Sequence, residues 1–103
     1  MTITSSQRAY LRGLGQSLDP IFQIGKGSVT PEFIAAVDEA LEKRELIKIS
    51  VLKNCDEKPY DLADIVSGRT QSNVVQVIGR RFVLYRPSKK PVIELPKPRK
   101  KNE

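Results

Sequence analysis

The chain of 103 residues has no histidine and only one cysteine. Without histidine, catalytic triads that use a histidine base and zinc sites that use histidine ligands are excluded. Cys55 has no second cysteine with which to form a disulfide inside the chain. We therefore expect a buried or idle thiol in a reducing compartment, and no metal site built on it.

Long apolar runs are also missing from the sequence. No run approaches the roughly 20 residues that a membrane-spanning helix needs. The first eight residues lack the apolar core of a signal peptide. We therefore expect a cytoplasmic protein that does not enter a membrane.

Positive charge is what the chain has in excess. It contains 18 lysine and arginine residues against 12 aspartate and glutamate residues, a formal net charge of +6. Such an excess points to a polyanion or an anionic surface as partner. The length and the 39% hydrophobic content suit one domain with one core, and not two.

The most informative segment runs from Gln23 to Pro31. An apolar run over 20–24 predicts a short strand, Gly25-Lys26-Gly27 ends it, and Thr30-Pro31 predicts the start of a helix. Together these features form a corner where backbone N–H groups and a lysine can meet an anion. The alternative is an ordinary strand-to-helix turn that needs glycine for its φ angles, and for this tripeptide alone we favour the alternative.

Hydrophobic periodicity and capping signals predict seven elements in the order α-β-α-β-α-β-β. Helices are expected over 5–16, 31–43 and 59–66, the last ended by Ser67-Gly68 after burying Leu62, Ile65 and Val66. Strands are expected over 20–24, 46–52, 73–78 and 81–86, with Gly79-Arg80 as a two-residue hairpin turn. The fold class is α/β (α+β): a compact two-layer domain with a mixed four-stranded sheet and helices packed on it.

Two surfaces of the predicted helices differ in charge. The exposed side of the second helix is acidic, so a polyanion should not bind along it. On the first helix, Arg8 and Arg12 are four residues apart and are expected to share an exposed face. That pair is equally well explained as a solvated face or as two sides of a bound phosphate.

The domain is expected to span residues 1–86, and to extend to 95 if the segment Val92–Leu95 docks on it. Residues 96–103 are expected to form a flexible, proline-containing basic tail. Its basic residues are Lys97, Arg99, Lys100 and Lys101.

Patterns for nucleotide binding and catalysis do not fit. Gly25-Lys26 has no glycine at the offset that a phosphate-binding P-loop requires, and Thr30 stands where a dinucleotide-binding loop needs glycine. Asp61 and Asp64 share a helix face, but exposed carboxylates there indicate solubility rather than acid–base catalysis. We expect no enzyme activity, cofactor, metal or small-molecule substrate.

Binding to a phosphate-rich polymer remains. A glycine–basic–glycine turn before a helix is similar to the G-x-x-G loop with which KH domains hold a nucleic-acid backbone. The candidate RNA-binding residues are the loop Gly25, Lys26, Gly27 and Ser28, then Arg8, Arg12, Arg80 and Arg81, and the tail residues Lys97, Arg99, Lys100 and Lys101.

Several motifs of the chain, in register from Thr4 to Arg86, resemble one family. They are Thr4-x-x-Gln7-Arg8-x-x-Leu11-Arg12, Pro20-x-x-Gln23-Ile24-Gly25-Lys26-Gly27-x-Val29-Thr30, Glu45-Leu46-Ile47-Lys48, Val75-Gln76-Val77-Ile78-Gly79-Arg80 and Leu84-Tyr85-Arg86. This pattern resembles the CRM domain, the YhbY-like RNA-binding domain of chloroplast splicing factors and bacterial ribosome-maturation proteins. A single small domain is similar to the bacterial members.

The resemblance implies a fold similar to the C-terminal domain of bacterial translation initiation factor three. It also implies association with ribosomal RNA in precursors of the large ribosomal subunit, a role in ribosome assembly, and RNA contact through a G-x-x-G loop. In this chain the loop is Gly25-Lys26-Gly27-Ser28, where Ser28 replaces the final glycine. We expect the serine to be tolerated in a glycine's place rather than to contact phosphate itself.

A second hypothesis is a protein-interaction module on the ribosome, with the sheet or the tail as contact surface and a basic charge that is non-specific. For either function we expect the chain to act as a monomer.

Overall fold

The expected order of elements and the mixed four-stranded sheet are confirmed by a computed structural model, which describes residues 3–96. The elements are α1 (Ser5–Gln16), β1 (Phe22–Ile24), α2 (Pro31–Arg44), β2 (Leu46–Val51), α3 (Pro59–Thr70), β3 (Asn73–Ile78) and β4 (Arg81–Tyr85). No helix within the described residues is long and apolar enough to cross a bilayer.

The sheet has the order β1-β2-β4-β3. β1 runs parallel to β2, whereas β4 is antiparallel to both β2 and β3. β3 therefore forms one edge, and its pairing with β4 is interrupted by a bulge between Val74 and Gln76. Gly79 has a φ of 57° in the two-residue turn between β3 and β4, as predicted for a glycine at that position.

Helices lie on both faces of the sheet, so α1 adds a third layer to the expected two. Ile47, Ile49 and Val51 turn to the same face of β2 and form the larger core with α2 and α3. Leu11 of α1 packs on the opposite face with a smaller cluster that contains Leu46, Val75, Val83 and Tyr85. Because both faces of the sheet are covered, five of the six residues of β2 are buried, Lys48 among them.

Close approach of α1 to the sheet depends on Gly15. A Cβ at this position would lie 3.3 Å from Cγ1 of Val83, which is tighter than an ordinary van der Waals contact. Glycine therefore fits here without displacing Val83, whereas a larger residue would push against it.

Local signals set the starts of α1 and α2 as predicted. Thr4 and Gln7 form a reciprocal capping box, with Gln7 N donating to Thr4 Oγ1 at 3.1 Å and Thr4 N donating to Gln7 Oε1 at 3.0 Å. Thr30 caps α2 by accepting a hydrogen bond from Phe33 N, and Pro31 occupies the first turn.

The predicted end of α3 was wrong. Gly68 has a negative φ and lies inside the helix, which continues to Thr70 and ends where Gln71 adopts the left-handed conformation at φ 56°. The prediction that Ile65 is buried was also wrong, because this side chain is exposed on the longer helix. Cys55 is buried in the larger core with 6% of its surface exposed, as expected.

Residues 86–96, called here the C-terminal strap, contact α2 through Arg86 and Lys89 and then reach the smaller core. Ile93 and Leu95 pack on that cluster. Glu45, a fully buried residue between α2 and β2, accepts the N–H groups of Ser88, Val92 and Ile93 at 2.7–2.8 Å. The division into a domain and a tail stays a prediction, because residues 97–103 lie outside the described part.

The carboxylate of Glu45 is stabilised in this position. Burial alone would raise its pKa, but the N–H donors of Ser88, Ile93 and Val92 outweigh burial and hold the pKa below its ordinary value. Burial and the Glu45 charge together raise the pKa of Tyr85. The strap is therefore fastened by an ionised side chain at the start of β2.

Candidate functional site

Three connections meet at one end of the sheet. The Gly25–Ser28 loop follows β1, the connection to α3 follows β2, and the Gly79-Arg80 turn joins β3 to β4. Leu52 N donates to Ile24 O at 2.9 Å, and Val51 N donates to Arg80 O at 2.7 Å. The register of the strands thus brings the candidate loop and the hairpin turn to the same side of the molecule.

The Gly25–Ser28 loop is a tight β-turn. Ser28 N donates to Gly25 O at 2.9 Å, and the exposed residues Lys26 and Gly27 occupy the two central positions. Gly27 does not have a positive φ, which excludes a type II turn. The Ser28 N–H is used inside the turn and does not point to an anion.

The fold does not require either glycine of this turn. Neither Gly25 nor Gly27 has a positive φ, so the interpretation that glycine serves the φ angles of the turn was wrong. A Cβ at Gly27 would meet nothing within 4 Å, and one at Gly25 would make ordinary contacts of 3.5 Å with Asn54 and 3.6 Å with Leu52. At Gly27 the turn therefore leaves its outer surface bare, with room for the close approach of another molecule.

Ser28 is the residue of this loop with left-handed backbone geometry. Its φ of 55° is a conformation that glycine adopts without cost and other residues adopt less readily. The Ser28 hydroxyl donates a hydrogen bond to the carboxylate of Glu57, in the connection between β2 and α3. The hydroxyl is therefore already engaged, and it brings a carboxylate to the loop.

The start of α2 offers few free donors to an anion. Pro31 has no N–H, and the N–H of Phe33 is engaged by the Thr30 cap at 3.1 Å. Glu32 adds a negative charge to the first turn. If an anion binds at this corner, Lys26 and the exposed turn can contact it more readily than the helix terminus can.

Arg80 and Arg81 lie at the same end of the sheet as the loop. Arg80 Nε donates to Val51 O at 3.0 Å, and its Nη2 donates to Leu52 O. Arg80 therefore fixes the end of β2 while it supplies a positive charge beside Leu52, which is also a neighbour of Gly25. Arg81 is exposed at the first position of β4.

Arg8 and Arg12 lie elsewhere, on α1. Arg12 is exposed, but Arg8 is half-buried and its guanidinium donates to the carbonyl of Val74 on β3. The prediction that both share an exposed face was wrong for Arg8, because the edge of β3 lies within its reach. Lys97, Arg99, Lys100 and Lys101 lie outside the described residues.

Charge is divided between the two faces of the sheet. α2 contains four acidic residues against two basic ones, and α3 contains two against one. α1 contains two arginines and no acidic residue. The four strands also contain no acidic residue. A polyanion is therefore favoured on the α1 face and disfavoured on the α2–α3 face.

Sequence reasoning did not single out Lys53, Lys58 or Glu57 for the site. All three are exposed in the connection that follows β2, and Glu57 contacts the loop that follows β1 through Ser28. No periodicity or motif marks them, since their position depends on the parallel pairing of β1 with β2.

Comparison with known proteins finds a matching family and relatives that cover most of the chain. The family model of the CRS1/YhbY (CRM) domain matches residues 3–86. The probable RNA-binding protein YqeI of Bacillus subtilis (strain 168) is 47% identical over 95 residues, covering 91% of this chain and 99% of that protein. An RNA-binding protein of Haemophilus influenzae is 33% identical over 96 residues, covering 93% and 97%.

One solved structure is also similar. The solution structure of the hypothetical protein SAV1595 from Staphylococcus aureus, a candidate RNA-binding protein, matches with a TM-score of 0.78 and 48% identity. The match covers 92% of this chain and all of that one.

Proposed function

Because the chain belongs to the CRS1/YhbY (CRM) domain family, we propose that it is an RNA-binding protein that holds the RNA backbone with the Gly25–Ser28 loop. The relatives named above as RNA-binding proteins span nearly the same length as this chain, which supports a function within this one domain.

The observation that supports the loop most directly is the pair of glycines that the fold does not need. Gly27 in particular leaves the backbone bare beside the exposed Lys26, as close contact with a phosphate requires. Arg80 and Arg81 add positive charge at the same end of the sheet.

The RNA that we propose is ribosomal RNA in precursors of the large ribosomal subunit, where the protein assists assembly in the cytoplasm without catalysis or a cofactor. We propose that Arg8 and Arg12 on α1, and Lys97, Arg99, Lys100 and Lys101 of the tail, add attraction that does not depend on sequence. The protein acts as a monomer in this proposal.

A protein-interaction module would most simply use an edge strand of the sheet. Of the two edges, β1 has only 3 residues, and β3 is the longer one. That edge is poorly suited to accept another strand, because a bulge interrupts it and Arg8 occupies the carbonyl of Val74. RNA binding is therefore the better-supported function.

The test compares Lys26→Ala with Lys43→Ala, two exposed lysines of equal charge. Lys43 pairs with Glu39 at 3.1 Å on the acidic side of α2. Lys26→Ala should weaken binding of ribosomal RNA and lower the magnitude of the log–log salt slope by roughly 0.7–0.9, whereas Lys43→Ala should not. Equal affinities and slopes for both variants would remove the loop from the binding site.

The ribosomal target is tested by sedimentation of the tagged chain with ribosomal particles. Co-sedimentation with large-subunit precursors that is lost after ribonuclease treatment is expected. Co-sedimentation that survives complete ribonuclease digestion would favour the protein-interaction module.

A further inference from the structure

Four residues form one row across the whole sheet. Gln23 of β1 pairs with Ser50 of β2, Ser50 pairs with Arg81 of β4, and Arg81 pairs with Ile78 of β3. Paired residues of neighbouring strands point to the same face, so all four side chains lie together, over about 14 Å at a strand spacing of about 4.8 Å. This set is called here the sheet row.

The sheet row lies on the α1 face. Lys48 pairs with Val83, which contacts α1, and Ser50 follows Lys48 by two residues on the same side of β2. α1 and the C-terminal strap pack on Leu46, Val75, Val83 and Tyr85. They cover the half of the sheet that is farther from the hairpin turn.

The row itself is open. Gln23 and Arg81 are exposed, Ser50 is half-buried, and Ile78 has 60% of its surface exposed. A single exposed isoleucine is unremarkable on a protein surface. Here, however, it completes a continuous surface of polar, cationic and apolar side chains that begins two residues before Gly25.

Charge on this face suits an anionic partner. Arg81 lies in the row. Lys48, which is 8% exposed, lies on the same face, two residues before Ser50 in β2. The acidic residues of α2 and α3 lie on the opposite side of the sheet. A protein partner would need an apolar centre to its interface, and the row offers only Ile78.

We propose that the sheet row is a second part of the RNA interface, and that it holds unpaired nucleotides of the strand whose backbone the Gly25–Ser28 loop contacts. The proposal rests on the RNA-binding function proposed above. Arg81 binds a phosphate, Gln23 and Ser50 supply hydrogen-bonding groups to sugar or base, and Ile78 packs against the face of a base. Single-stranded RNA is the suitable class because its bases can turn out of a stack and lie on a sheet.

The experiment measures binding of labelled oligouridylate to the full chain across a range of salt concentrations, with a blunt-ended RNA duplex as second probe. Arg81→Gln is compared with Arg69→Gln, an exposed arginine in the last turn of α3 on the acidic side. Arg81→Gln should weaken single-strand binding and lower the magnitude of the salt slope by about 0.7, and Arg69→Gln should change neither.

A neutral substitution tests the apolar contact. Ile78→Ser should weaken binding of oligouridylate without changing the salt slope, because no phosphate contact is lost. If Arg81→Gln weakens binding and Ile78→Ser does not, the proposal that the sheet row binds RNA is contradicted, since Arg81 could then act from the hairpin turn alone. Tighter binding of the duplex than of the single strand would also overturn it.

Three further outcomes separate the proposal for the sheet row from the proposed function. If Arg81→Gln does not fold, Gln23→Glu replaces it with Gln71→Glu as control, and only the former should weaken binding. If Lys26→Ala weakens binding while all row variants behave like Arg69→Gln, the proposal for the sheet row is contradicted and the proposal for the Gly25–Ser28 loop is supported. If the unaltered chain binds neither probe nor ribosomal RNA, the proposed function itself fails.

Discussion

The hydroxyl of Ser28 donates a hydrogen bond to the carboxylate of Glu57, so a negative charge lies against the loop that we propose to bind phosphate. A phosphate that approaches the turn must overcome repulsion from this carboxylate or displace it. In the proposed site, Glu57 therefore opposes phosphate binding while it holds the left-handed residue of the loop in place.

Glu57→Gln is expected to tighten RNA binding, because the variant loses a negative charge beside the site and keeps a side-chain oxygen that can accept from Ser28. Fluorescence anisotropy with ribosomal RNA fragments measures the change. Glu39→Gln removes the same charge from the acidic side of α2 and should leave the affinity nearly unaltered. Equal gains in both variants would mean that only net charge matters.

Ser28→Gly is expected to bind RNA as well as the unaltered chain or better, since glycine adopts a φ of 55° without strain. Ser28→Ala should cost little affinity, because the hydroxyl faces Glu57 rather than an open site. Ser28→Asp should nearly abolish binding by placing a second carboxylate there. Full binding by a folded Ser28→Asp variant would contradict the assignment of this loop as a phosphate site.

Gly27→Ala should separate folding from binding. Its Cβ meets nothing within 4 Å and its φ is not positive, so the free energy of unfolding should change by less than about 1 kcal/mol. RNA binding should weaken, because the methyl group occupies the space that a phosphate would enter. Gly68→Ala, at an exposed position of α3 on the acidic side, is the control and should leave binding unaffected.

Glu45→Gln should destabilise the fold by about 1.5–3 kcal/mol at neutral pH, since a neutral amide cannot accept from three N–H groups as a carboxylate does. Glu42→Gln is the matched control, because Glu42 accepts the Lys89 N–H at 2.9 Å from an exposed position. Urea unfolding of both variants measures the difference.

The pH dependence of that difference follows from the lowered pKa of Glu45. A carboxyl group whose pKa is lower in the folded state stabilises the fold above its ordinary value, and the contribution is lost as the pH falls below about 4.5 and through the lowered pKa. The unfolding free energies of the unaltered chain and Glu45→Gln should therefore converge in acid. A constant difference at every pH would show that charge is not what fastens the strap.

Local rules were sufficient for much of the fold. The Thr4–Gln7 capping box, the Thr30-Pro31 helix start and the Gly79 turn each depend on neighbours within a few residues, so the sequence could predict them. The end of α3 was missed because glycine often ends a helix, whereas Gly68 lies inside this one. The chain turns instead at Gln71, a residue with no strong terminating preference.

Features that depend on distant residues could not be predicted. The pairing of Glu45 with the strap joins residues more than 40 positions apart, and the Ser28–Glu57 contact depends on the parallel pairing of β1 with β2. The side of the sheet that α1 occupies also depends on tertiary packing. The candidate loop itself was visible in the sequence, but its carboxylate neighbour was not.

The burial of Cys55 makes the loop accessible to site-specific chemistry. The chain has one cysteine, and because its thiol lies in the larger core it should react slowly with maleimides in the folded protein. Gly27→Cys would place a second thiol at an exposed position where a side chain meets open space. A maleimide adduct formed there would fill the space that a phosphate would enter, so modification should block RNA binding at the loop without removal of the native cysteine.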